Sequence, residues 1–263
     1  MKKKESLNRV RAADIAAAIE EFAPLSTQVD WDNSGFTVGD PDAMVSKALI
    51  ALNCTLDVIA EAVEKGCDMI ITHHPLIVHA PCLNILSNNL RGRSIELAVR
   101  NNITIYSSHT PLDRAAGGLN DIMAKMIGLR GCRRVVEGGF CTIGSLAKQM
   151  SANEILSHLK EVFGAPAIRC SKPIEGGIKK VAVSSGSGQG SIKEAIGAGA
   201  QLLVTGDVTH HNFYTPKGFM IADIGHHYSE LPAIALLNDI VKKNFPTFAT
   251  LLSKADKSPI FNF

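Results

Sequence analysis

The sequence predicts an α/β protein of two similar lobes related by an internal repeat, with a dinuclear metal site between them. Three observations carry this expectation. The segment Ala48–Thr72 (ALIALNCTLDVIAEAVEKGCDMIIT) matches Val181–Thr205 (VAVSSGSGQGSIKEAIGAGAQLLVT) in length without a gap, placing Glu61-Ala62 on Glu194-Ala195, Gly66 on Gly199 and Thr72 on Thr205. Each segment reads strand, helix, strand, the pattern of a βαβ crossover that joins parallel strands. Each half then carries a short apolar run followed by a His and, four residues later, a carboxylate: ITIYSS before His109…Asp113, and FMIADIG before His226…Glu230.

Along the chain, Ile15, Ala18, Ile19 and Phe22 fall on a helical period, so residues 12–22 form a helix that Pro24 ends. Trp31-Asp32-Asn33-Ser34-Gly35 is a turn leading into a short strand at Phe36–Val38. The first repeat divides into a strand over 48–52, a helix over 56–64 ending at Gly66, and a strand over 68–72. The second divides into a strand over 181–184, a Gly-rich loop, a helix over 191–196 and a strand over 201–205. Between them, residues 129–179 hold one helix (152–163) among glycines and prolines. The expected domains are 1–128 and 129–263, together one two-lobed unit, and the tail from Ser253 to Phe263 has no assigned element.

Bulk properties exclude several classes. With 263 residues, 46 % hydrophobic and 20 % charged, the chain suits a compact globular fold. A net charge of +2, from 27 Lys/Arg against 25 Asp/Glu, gives no basic face for nucleic acid. Met1-Lys2-Lys3-Lys4 is followed by Glu5-Ser6 and not by an apolar run, so no signal peptide is expected. No stretch reaches the roughly 18–20 apolar residues of a membrane span. Six cysteines (Cys54, Cys67, Cys82, Cys132, Cys141, Cys170) form no CxxC pair, which suits free, mostly buried thiols in a reducing, cytoplasmic setting.

The histidines carry the chemistry. Of nine, His73, His74, His109, His210, His211, His226 and His227 follow expected strands, where ligands bind in α/β sheets, whereas His79 and His158 lie off the pattern. His73-His74 alone reads equally as hydrogen-bonded loop residues, but the company of the others points to a metal site. A carboxylate four residues after a His places both on one face of a helical turn, and imidazole with carboxylate suits zinc, manganese, iron or nickel more than a Cys-rich structural zinc. The loop Ser185-Gly186-Ser187-Gly188 is either a cradle for a phosphate or a glycine-eased tight turn. Trp31 with Asp32 lines a cavity or anchors packing, and His210 and His211 are proton donors or loop residues.

THHP at Thr72–Pro75, SSHTPLD at Ser107–Asp113 with Gly118 and Asn120, TGDVTHH at Thr205–His211, GHHYSE at Gly225–Glu230 and WDNSG at Trp31–Gly35 together resemble the GTP cyclohydrolase I type 2 / Nif-three-like family. The resemblance spans nearly the whole chain, from about Ala12 to Leu252. It implies two divalent ions held by His73, His74, Asp113, His226 and Glu230, with Glu230 bridging, and a ring-shaped homohexamer of the short form without an inserted domain. The chain departs from the family pattern at Gly139–Gly144, where no Arg stands between the glycines, and at Asn53, where an Asp is common.

Two functions follow as expectations. One is a dinuclear-metal hydrolase that opens the ring of a purine nucleotide or cleaves a phosphorylated small molecule with metal-bound hydroxide. Here His109, His210 and His211 move protons, and Ser185, Gly186, Ser187, Gly188, Trp31 and Asp32 contact substrate. By internal symmetry with His226, His109 is alternatively a metal ligand. The other function is a non-catalytic metal-binding protein, either a trafficking factor or a ring-shaped scaffold.

Overall fold

The computed structural model describes residues 9–78 and 84–262; Met1–Ser6, His79, Cys82 and Phe263 lie outside the described residues. The chain forms two compact units. The first comprises residues up to Leu112 together with Ala233–Lys257, and the second comprises Asp113–Pro232 with the last residues.

In the first unit, β1 (Val10–Arg11) leads directly into α1 (Ala12–Phe22), which buries Ala12, Ile15, Ala16 and Ile19. Then come β2 (Gly35–Val38), β3 (Met44–Val45), β4 (Lys47–Ala51), α2 (Leu56–Glu64), β5 (Met69–Thr72), α3 (Leu90–Arg100), β6 (Thr104–Ser107) and α4 (Thr110–Arg114). Thr55 caps α2 by accepting from the Val58 N–H, which satisfies one of the helix's orphan donors. The parallel strands β4, β5 and β6 run in register, so that Ala51 lies beside Thr72 and Thr72 beside Ser107. Every residue of β5 and β6 is buried. Each fully buried Ile or Leu in such strands contributes about 1.5–3 kcal/mol relative to exposure. Antiparallel β2 closes one edge and the strand Ala249–Leu252 closes the other, parallel to β4. The common register brings the residues after β4, β5 and β6 out together at the carboxyl edge of the sheet, where α/β folds place ligands.

The second unit follows with α5 (Leu119–Ile127), β7 (Arg130–Arg134), β8 (Thr142–Met150), α6 (Ala152–Phe163), β9 (Arg169–Cys170), β10 (Ile178–Val183), α7 (Ile192–Gly197), β11 (Leu202–Thr205), β12 (Met220–Asp223) and α8 (His226–Glu230). Its sheet has the order β7-β8-β10-β11-β12-β9, with β10, β11 and β12 parallel. Alternation divides the core between the two faces of this sheet. Val181, Val183, Leu202, Val204, Met220 and Ala222 join one cluster, and Ala182, Leu203 and Ile221 join the other. Ser151 and Glu154 form a capping box that starts α6, and Gly164 in the left-handed conformation ends it. The chain then returns to the first unit through α9 (Pro232–Asn244) and β13 (Ala249–Leu252).

The division differs from the expected boundary after residue 128. Met123, Ala124 and Ile127 of α5 pack into the core of the second sheet, which draws Asp113 onward into that unit. The C-terminal segment joins the first unit because β13 completes its sheet. Among the described residues, no helix is long and apolar enough to cross a membrane. Of the described cysteines, Cys54, Cys67 and Cys141 are buried free thiols, and burial pushes them up to about 12, 11 and 12 respectively. Cys132 and Cys170 are free and exposed because they sit on the edge strands β7 and β9, so the described thiols are mostly buried, as expected.

Candidate metal centre

In the first unit His73, His74 and His109 converge. One ligand nitrogen from each lies within 4.8 Å of the others, and the ring centroids are 4.9–5.3 Å apart. His73 and His74 leave the end of β5, and His109 follows β6 by two residues. All three rings are oriented in the same way. His73 Nδ1 is 2.9 Å from the carbonyl oxygen of Ser108, which only accepts, so Nδ1 carries the proton and Nε2 keeps its lone pair. His74 Nδ1 is 2.8 Å from Asn53 Oδ1, and His109 Nδ1 is 2.8 Å from Asp32 Oδ1. Holding one ring nitrogen on an oxygen acceptor fixes the tautomer that a metal ligand needs at the other.

Asp32 supports more than one ring. Its carboxylate accepts from His109, from the Thr110 hydroxyl and N–H, from the Ser34 hydroxyl and from the Asn33 N–H. Burial alone would raise this carboxyl, but the hydrogen bonds from His109, Thr110 and Ser34 hold it well below the usual carboxylate range. The WDNSG turn thus presents a fixed anion to His109, and Asp32 serves as this anchor instead of facing a ligand. Trp31 stands half exposed with its ring edge 5.7 Å, centroid to centroid, from His109.

The second unit gathers Asp113, His226 and Glu230. The helical turn of α8 brings His226 Nε2 within 2.9 Å of Glu230 Oε2, while His226 Nδ1 lies 2.7 Å from Asp207 Oδ2. Burial lowers the basicity of His226, but the hydrogen bonds to Glu230 and Asp207 outweigh it and raise the ring to about 9. His226 Nε2 and Glu230 Oε2 are thus two donor atoms that could hold a cation in place of the proton they share when the ring is charged. The ligand oxygens of Asp113 and Glu230 lie within 4.8 Å of each other, and both residues are buried. Asp113 Oδ1 accepts from the Ser185 hydroxyl at 2.8 Å, and Asn120 ties the arrangement by donating to the Asp113 carbonyl and accepting from the Ser185 N–H.

The Gly-rich loop is built into this arrangement. A Cβ on Gly186 would stand 2.1 Å from Glu230 Oε1, so only glycine leaves room for that carboxylate. Three of its N–H groups donate inside the protein: Ser185 to Asn120, Gly186 to Ser229 and Gly188 to Thr205. The α7 helix that follows has six residues. Of the expected phosphate cradle, Ser185 holds Asp113, Gly186 leaves room for Glu230, Gly188 donates to Thr205, and Ser187 is exposed. His210 and His211 are also exposed, on a short 3-10 turn at His210–Phe213, where their rings meet each other and His210 meets Tyr214. Neither belongs to a potential metal-binding group among the described residues.

Sequence reasoning missed three acceptors that arrive from elsewhere in the chain. Asn53 follows β4, Asp207 follows β11, and Asp223 at the end of β12 accepts from the Val208 and Gly225 N–H groups and so joins the two loops that carry Asp207 and His226. Asp207 has a φ of 51°, a conformation uncommon outside glycine, but sequence alone offers no sign of that.

Known proteins resemble this chain in sequence and fold. A curated relative from Clostridium perfringens, called GTP cyclohydrolase 1 type 2 homolog, is 36 % identical over 94 % of this chain and 97 % of its own length. One of the same description from Methanocaldococcus jannaschii is 31 % identical over 89 % and 96 %. Among solved structures, a Bacillus cereus protein related to NIF3 shares the fold with a TM-score of 0.90 at 20 % identity, covering 97 % of this chain and 100 % of that one. Reduced HcgD from Methanocaldococcus jannaschii aligns with a TM-score of 0.81 at 29 % identity, covering 94 % and 98 %. The family model described as Duf34/NIF3 (NGG1p interacting factor 3) matches residues 10–259, and the chain belongs to that family.

Proposed function

We propose that His73, His74, Asp113, His226 and Glu230 hold two divalent metal ions, with Glu230 bridging, and that the protein is a hydrolase. The observation that carries this reading is the shared treatment of the imidazoles: each directs Nδ1 to an oxygen acceptor, as metal-ligating histidines do. Nitrogen and carboxylate donors without a thiolate suit zinc, iron, manganese or nickel. Such ions would supply Lewis acidity and bring the pKa of bound water toward neutrality. His109, fixed on Asp32, takes and returns a proton at Nε2, and Trp31 beside it offers an apolar ring to a planar base. The description of the relatives supports a purine nucleotide as substrate, with opening of its imidazole ring. The two strand–helix–strand segments are copies of one unit in this reading, supported by their equal register, Ala48 beside Met69 and Val181 beside Leu202. A cytoplasmic homohexameric ring belongs to the same proposal, and a monomer or dimer by light scattering would overturn that part.

One observation favours a second reading, a metal-binding protein without catalysis. Three amides of the Gly-rich loop are engaged inside the protein and His210 and His211 are exposed on a separate turn, which favours a reading without a triphosphate substrate. Elemental analysis combined with a nucleotide and phosphoester screen under zinc, iron, manganese and nickel separates the two. Turnover with two ions per chain supports the hydrolase; bound metal with no turnover under any of them supports the second reading. Glu230→Gln should lose at least one ion and all turnover, and full metal content in that variant would show that Glu230 is no bridge. His109→Asn should lower turnover by about 10²–10⁴-fold at unchanged metal content, the usual weight of a proton-transfer group. Parallel losses of both would make His109 a ligand.

A further inference from the structure

The C-terminal segment reaches the carboxyl edge of the first sheet. β13 pairs Leu252 with Ile50, and the Ser253 N–H continues the ladder to the Ile50 carbonyl. Glu61 of α2 then holds the turn, accepting from the Ser253 hydroxyl and from the Lys254 and Ala255 N–H groups. The turn delivers Asp256 to the end of β4. There Oδ2 accepts from the Leu52 and Asn53 N–H groups at 2.5 and 3.0 Å, and Oδ1 accepts from Asn53 Nδ2 at 2.9 Å. The other end of the same amide, Asn53 Oδ1, is 2.8 Å from His74 Nδ1.

This chain of contacts allows only one assignment of donors. A carboxylate only accepts, so the Asn53 NH₂ must face Asp256 and the Asn53 oxygen must face His74. An amide oxygen accepts, so His74 Nδ1 must carry the proton and Nε2 the lone pair. Without Asp256 the Asn53 amide is free to turn over and present its NH₂ to the ring. That would place the proton on Nε2 and abolish the ligand atom. We infer that Asp256 is a positioning residue which, through Asn53, fixes the tautomer and orientation of His74. The neutral Asn53 then supplies what a directly placed carboxylate would, with the charge standing one residue further out.

Only the metal arm of the test rests on His74 being a ligand; the tautomer is read in metal-free protein by long-range ¹H–¹⁵N correlation of the imidazole nitrogens. Wild type should show His74 with Nδ1 protonated. Asp256→Asn should move it to a mixture with Nε2 protonated and weaken zinc binding by about 10–100-fold, the usual cost of losing a partner behind a ligand. Adding Asn53→Asp to Asp256→Asn should restore both, because a carboxylate at position 53 accepts from His74 directly and an amide at position 256 donates to that carboxylate. If Asp256→Asn fails to fold, Asn53→Leu leaves Asp256 on the backbone N–H groups and should show the same tautomer shift. Retention of Nδ1 protonation in the folded single variant, or failure of the pair to restore it, overturns the inference. If wild type takes up no zinc, the metal reading falls, while the tautomer still decides the role of Asp256.

Discussion

After β5, the first unit continues with His73 and His74; after β11, at the matched point of the sequence, the second unit continues with Gly206 and Asp207. The strands are alike, four buried residues each ending in Thr, and the preceding crossovers set the same register. The residues just beyond the two strand ends are used in opposite ways. The first unit offers two imidazoles. The second offers space and an anchor: a Cβ on Gly206 would come 2.6 Å from the His226 backbone nitrogen, and the Asp207 carboxylate holds the His226 ring. The Asp113 carboxylate and the His226 and Glu230 side chains of the second unit come instead from α4 and α8. The apolar interior is the same in strand and crossover, whereas residues one step beyond the sheet carry no core duty and differ: two imidazoles on one side, a glycine and a ring-holding carboxylate on the other.

Gly206→Ala tests the requirement for space and should have the largest effect. Its methyl group meets backbone and not a movable side chain, so a loss of roughly 2–3 kcal/mol in denaturant unfolding is expected, in the upper range for overpacking. A change below about 0.5 kcal/mol would mean that the His226 backbone yields easily. Asp207→Gly separates anchor from fold. Glycine relieves the positive φ but adds freedom to the unfolded chain, so stability should change little, while metal affinity falls about 10–100-fold. Unchanged affinity in a competition titration would remove Asp207 from the support of His226.

Glu61→Gln should give the smallest effect. Burial alone raises the Glu61 carboxyl, but hydrogen bonds from Ser253, Ala255 and Lys254 lower it below its usual value. A carboxyl lowered by folding contributes stability that is present above its unfolded pKa and disappears as pH falls through the folded one. Protection of the Lys254 and Ala255 amides, measured as hydrogen exchange relative to the intrinsic rate at each pH, should therefore fall as pH drops below the ordinary glutamate range. In Glu61→Gln that pH step should be missing, and an unchanged profile would detach Glu61 from the tail.

The βαβ segments were legible because apolar runs between a turn residue and Thr have few other readings, and α6 was legible through its cap and glycine. The boundary between units was not. Pairing of Ala249–Leu252 with Lys47–Ala51 joins distant stretches, and β13 carries no local mark of its partner. The clustering of His73, His74 and His109, and the pairing of Glu230 with His226 and with Asp113, were legible in residue type and position after strands. Their acceptors were hidden because Asn53, Asp207 and Asp256 matter only through contacts the fold creates. His210 and His211 stand exposed on a short turn, and following a strand in sequence does not decide where such a turn carries a side chain.

The return of the chain to its first sheet also sets an order of completion during synthesis. About 200 residues separate Ala51 from Ala249, so at 5–20 residues per second the β4 edge waits roughly 10–40 s for its last strand. Throughout that interval a buried, apolar strand has an open hydrogen-bonding edge, the kind of surface that recruits foreign strands. The half of the molecule that leaves the ribosome first is thus the last to be closed, and a chain truncated before Leu252 would carry an adhesive edge into the cell.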